Sequence, residues 1–139
     1  MDTQAGGMSA MTRGLAGYIR RVADAVGVTA DGVTHEVSDT ATAYLALARR
    51  SPRHPERDLM LFWSERHGWA VAVEEEHGDH PKLVAYFGEE LVPSPAQVAE
   101  FVAAVTTGRS PAHPRPRFAE GDDRRDLTVK LAPYVEHFA

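Results

Sequence analysis

Six side chains with metal-ligating chemistry crowd into one short stretch: Glu74, Glu75, Glu76, His77, Asp79 and His80. Carboxylates and imidazoles are donors for divalent ions, and a loop can converge three of them, with Glu76, His77 and His80 the natural set. The spacing fits no established metal motif, since His77-Gly78-Asp79-His80 lacks the His-Glu-x-x-His pattern of a helical zinc site. A solvated acidic loop that keeps a strand edge from pairing accounts for the same residues. No metal site and no cofactor is expected.

Ser64, Glu65 and His67 could supply a nucleophile, an acid and a base, but neighbours on one turn rarely point at one another, and a triad is defined by geometry rather than adjacency. Gly68 is the residue that a tight turn needs for positive φ. His35, Asp39 and Tyr44 allow a histidine–carboxylate pair, but the expected reading is a hydrogen-bonded structural histidine. No catalytic set is expected. Arg49, Arg50, Arg53 and Arg57, with His54 among them, form the densest positive patch. Guanidinium forks match carboxylate or phosphate, so these four arginines are the candidate patch for an anion or an acidic partner.

The aromatic residues give the other candidate site. Trp63 and Trp69 flank one turn, and with Tyr44 and Phe62 they could line a ligand pocket or an interface. Tyr134 and Phe138 near the C-terminus join them as candidate interface residues.

The elements that must position these groups follow from hydrophobic periodicity. Leu15, Tyr18, Ile19, Val22, Ala25 and Val26 recur at three- and four-residue steps, which predicts a helix begun by Ser9 or Thr12 and stopped by Gly27. Gly14 and Gly17 are poor helix residues, and close packing against another element would explain them. Val33–Val37 and Thr40–Ala48 read as strands, the second with Leu45 and Leu47 opposite Thr42 and Tyr44. Arg49–Arg57 is a loop. The stretch from Asp58 to Glu74 is a hairpin; in its first strand Leu59, Leu61 and Trp63 face one way and Met60 and Phe62 the other, and in its second Trp69, Val71 and Val73 face one way and Ala70 and Ala72 the other. Lys82–Phe87 is a fifth strand, with Leu83, Ala85 and Phe87 on one side. Ser94, Pro95 and Gln97 spell a capping box ahead of a second helix, and Gly108 ends it.

This order predicts an α+β domain: a two-layer arrangement in which an antiparallel sheet of about five strands is packed by the N-terminal and post-sheet helices. Residues 1–8 read as a disordered leader, 9–108 as the domain, 109–126 as a Pro-rich charged linker and 127–139 as a docked terminal segment. Apolar residues on both sheet faces require cover on both sides, by helices on one and by further protein on the other.

Composition bounds the function. The 139 residues carry a formal net charge of −5 and no cysteine. Thiolate chemistry and disulfides are thereby excluded, and nucleic-acid binding, which needs an excess of basic residues, is disfavoured. No apolar run reaches the roughly 18 residues of a membrane span, and the N-terminal residues lack a signal-peptide pattern. A cytoplasmic setting without membrane association is expected.

Four stretches, RGLAGYIRRVADAVGV (13–28), EVSDTATAYLAL (36–47), RDLMLFWSERHGWAVAVE (57–74) and AYFGEELVPSPAQVAEFV (85–102), together resemble an uncharacterised actinobacterial domain family of unknown function over residues of about 13–107. The resemblance implies an actinobacterial source and no activity, cofactor or catalytic residue. The expected function is a non-catalytic protein-interaction or regulatory module, a homodimer that binds a protein or peptide. The alternative is a small-molecule-binding or enzymatic domain with a cavity between sheet and helices.

Overall fold

A computed structural model describes residues 9–52, 55–74, 82–88, 90–109, 116–118 and 124–135. Helix α1 spans Ala10–Val26. The Ser9 side chain accepts from the Thr12 amide at 3.1 Å to open it, and Gly27 closes it in the left-handed region at φ 81°. Leu15, Tyr18, Ile19, Val22 and Val26 are buried along one face as the periodicity requires. Ala25 instead points to solvent, and Ala23, four residues after Ile19, is buried in its place.

Five strands follow, β1 (Val33–Val37), β2 (Ala41–Ala46), β3 (Leu59–Ser64), β4 (Gly68–Val73) and β5 (Lys82–Tyr86). They form an antiparallel meander in sequence order. Helix α2 (Pro95–Thr106) has the full capping box: Ser94 Oγ accepts from the Gln97 amide and Gln97 Oε1 from the Ser94 amide. Helix α3 (Arg124–Leu131) ends in a 3-10 turn at Ala132–Tyr134. Among the described residues the fold is therefore the expected α+β arrangement, an open five-stranded sheet and three α-helices.

One core holds the two layers together. Leu45, Leu61, Trp63, Trp69 and Val71 of the sheet join Leu15, Tyr18, Ile19 and Val22 of α1, Val98 and Val102 of α2, and Leu127 and Leu131 of α3. The alternation in β2, β3 and β4 sorts side chains as the sequence predicts. β5 departs from it. A register shift opposite Val71 and Ala72 sets Ala85 against Val71 but Leu83 against Ala72. The bulge leaves Val84 without a partner residue across the strands and puts Leu83 and Ala85 on opposite faces, where plain alternation places them together. Ala85 is consequently buried, and Leu83 is 44 % exposed.

The expectation for Gly14 is also met. A Cβ built there lies 2.8 Å from both Cβ and the carbonyl oxygen of Leu131, so only glycine lets α3 lie this close to α1. Helix α3 begins two residues before the end of the stretch read as a linker, and residues 116–118 of that stretch run against the β3–β4 turn.

Candidate functional site

The helices cover one face of the sheet, and the candidate site is the other. Three registered rows cross it: Thr34, Tyr44, Phe62, Ala70 and Tyr86; Glu36, Thr42, Ser64 and Gly68; Ala46, Met60, Ala72 and Leu83. A solvated face of an antiparallel sheet ordinarily carries polar residues at these positions. Here the middle row beyond Thr34 is aromatic and aliphatic, and Glu36 is the single charged residue of the thirteen. The face is hollow, with a cavity volume of about 510 Å³. Its floor is the Tyr44–Phe62 pair, whose ring centroids are 5.3 Å apart at 51°. Burial raises the Tyr44 phenol above its ordinary range, and the Glu74 carboxylate adds to the effect.

The β3–β4 turn closes one end of the hollow. Ser64 Oγ accepts from the His67 amide at 3.0 Å, and Gly68 adopts φ 71°. Glu65 turns away from both. It is buried, at 4 % exposed, and its carboxylate accepts from the Ala41 amide at 2.6 Å. Arg124 of α3 donates to the same carboxylate at 2.6 and 3.3 Å, and also to the backbone oxygens of Ser38 and Asp39. His67 Nδ1 lies 3.0 Å from the Pro116 oxygen. Ser64, Glu65 and His67 thus engage three different partners and form no relay. Nothing local in the sequence marks the Glu65–Arg124 pair, whose members stand 59 residues apart.

The predicted site residues do not come together in one place. Tyr44 and Phe62 lie in the hollow. Trp63 and Trp69 lie on the helix-covered face, 1 % and 0 % exposed. Trp63 donates to the Leu91 oxygen at 2.8 Å, and Trp69 to the Tyr18 hydroxyl at 2.9 Å, which itself donates to the Pro93 oxygen. Tyr134 packs its ring 4.8 Å from that of Tyr18. Phe138 and Arg53 fall outside the described residues, as do Glu76, His77 and His80. Arg49 reaches the Val26 oxygen at the C-terminal end of α1, where a positive charge suits the helix dipole. Arg50 donates to Asp58 and to the Pro55 oxygen, both at 3.3 Å. Arg57 is half-buried, and His35, expected to be a structural histidine, is exposed.

Burial also raises the Tyr18 phenol; Trp69 donation opposes this more weakly, and Tyr134 and Glu90 reinforce it. The folded chain therefore holds this proton more tightly than the unfolded chain, where a tyrosine titrates near pH 10. The associated stability is intact below about pH 10 and is lost as pH climbs toward the raised folded value. Urea midpoints measured upward from pH 9 should fall, and Tyr18→Phe should flatten the fall. Equal slopes in the two proteins would exclude Tyr18 as its source.

No helix among the described residues is long and apolar enough to cross a membrane. No curated protein and no solved structure matches the chain. A family model described as a family of unknown function, DUF6292, matches residues 18–104, which include every residue of the three rows. The match spans well over half of the sequence, and the chain belongs to the DUF6292 family.

Proposed function

We propose that the protein is a non-catalytic interaction module that works as a homodimer, its two copies meeting on the open sheet face. The observation that carries this reading is the single charge among the thirteen outward positions of that face. Thr34, Thr42 and Leu83 stand exposed on it and Tyr44, Phe62 and Tyr86 are half-buried, while Met60, Ala70 and Ala72 are already buried within the chain, so the surface offered to a second copy is the hollow and its rim. A concave face cannot fill itself against its own copy in perfect opposition. The two copies must be offset, and the exposed Leu83 at the β5 edge is the side chain placed to enter the neighbour's hollow.

Light scattering on the eluting chain tests this. The native protein should have twice the chain mass of 15.2 kDa, and Leu83→Glu should reduce it to the chain mass. Leu83 is already half in solvent, so the variant keeps its core. A native protein at the chain mass at about 100 μM would end the dimer reading. A second reading then takes over, a small-molecule site in this hollow instead of the expected cavity between sheet and helices, where the core is packed; it is supported by the cavity volume of about 510 Å³, which lies within the range of small-molecule sites. In that case an apolar aromatic ligand should raise the melting temperature of the native protein, and Phe62→Glu should abolish the rise.

A further inference from the structure

The open face and the C-terminal segment share one structural piece, the β3–β4 turn. On its outward side Ser64, His67 and Gly68 line the hollow. On its other side the same turn is gripped by residues 116–118. His67 Nδ1 meets the Pro116 oxygen, the Phe118 amide donates to the Arg66 oxygen at 3.0 Å, and a Cβ built on Gly68 would lie 3.1 Å from the Phe118 ring. Arg124 then spans from Glu65 to the oxygens of Ser38 and Asp39 in the β1–β2 turn. Glu36 and Thr42, which flank that second turn, line the same end of the hollow.

We infer that residues 116–118 and 124–134 act as a strap that controls the hollow, so that seating the strap and occupying the open face are energetically coupled through these two turns. The coupling rests on the proposed contact surface for what it regulates, and on the geometry alone for its existence. Helix α3 has eight residues, too few to persist unless docked. Its order therefore depends on its seat against α1. Its anchors are Leu127 and Leu131 in the core, the close approach to Gly14 and the Arg124 latch. The family match at 18–104 contains the hollow and both turns but neither the strap nor Gly14. A family surface is thus joined to a controlling element that lies outside the matched range. Linkage makes the effect reciprocal: whatever lifts the strap weakens occupancy of the face, and occupancy tightens the strap.

The test uses the full chain and two variants. Gly14→Leu places bulk where Leu131 sits, and it acts from α1, on the helix side of the sheet. Arg124→Ala removes the latch without adding bulk. Amide exchange over 124–131 reads the strap, and the NMR cross-peaks of Thr42, Ser64, His67 and Gly68 read the end of the hollow. In both variants exchange over 124–131 should accelerate at least tenfold and the four cross-peaks should move. For Gly14→Leu the dimer dissociation constant should also rise about tenfold, within the lower part of the range for coupled sites. Fast exchange with unmoved cross-peaks in Gly14→Leu would overturn the coupling, and so would a strap that stays protected in both variants. A native protein that is monomeric defeats the dimer reading only, since the cross-peaks decide the coupling without it.

Discussion

Glu65→Leu is expected to lower the stability of the chain by about 3–5 kcal/mol, the cost of breaking one half of a buried ion pair. The carboxylate is 4 % exposed, while the Arg124 side chain is 29 % exposed and keeps some access to water, which places the effect toward the lower end. Two further losses act in the same direction. The Ala41 amide loses its side-chain acceptor, and the strap loses the charge that fixes its first turn. Domains of this kind have total stabilities of about 5–15 kcal/mol, so the change is a large fraction of the whole. Urea denaturation of the native protein, Glu65→Leu and Glu65→Gln separates the contributions. Glutamine keeps an acceptor for Ala41 and should recover part of the loss; what it fails to recover belongs to the charge. A loss below about 1 kcal/mol in Glu65→Leu would show that the pair contributes little to folding.

The second large effect lies in the core. Trp63→Ala should cost about 3–5 kcal/mol through the cavity that it leaves. Trp63→Phe retains most of the apolar contact but strands the Leu91 oxygen, which now accepts from the indole at 2.8 Å. An unpaired buried acceptor costs about 1–3 kcal/mol. Leu91 belongs to the segment that leads into α2, so the indole ties β3 to the helix layer by a polar bond as well as by packing. Denaturation midpoints of the two variants should fall in that order. Equal midpoints would mean that the bond, rather than the bulk of the ring, dominates.

The features legible in the sequence are those set by local rules. The alternation of β2, β3 and β4 separates the core face from the open face, because side chains of a strand alternate whatever it pairs with. Ser94, Pro95 and Gln97 give the start of α2 because a cap is made within one turn. Gly14 signals a close approach, though not that Leu131 makes it. The features hidden from the sequence depend on partners far along the chain. The bulge that turns Leu83 outward is a relation between β4 and β5, and the residues of β5 alone alternate perfectly well without it. Glu65 in its turn reads as an ordinary polar tip, and Arg124 as one charge in a Pro-rich charged stretch. Only the folded chain brings them to 2.6 Å. Trp63 and Trp69 show the same limit from the other side. Their bulk marks the centre of the fold, while the face that they occupy leaves the candidate surface to Tyr44, Phe62, Tyr86 and Leu83.

The position of the two indoles has a practical consequence. Both tryptophans of the chain sit beneath the helices, bonded to Leu91 and Tyr18. Intrinsic emission therefore reports whether the helix layer is intact, and it follows unfolding cleanly. It is a weaker gauge of anything that lands on the opposite surface, where Trp69 takes no part and Trp63 lines the hollow from a side chain turned to the core. A titration that leaves the emission unchanged therefore does not speak against binding there, and screening of this protein calls for a label or a nucleus placed at Tyr44.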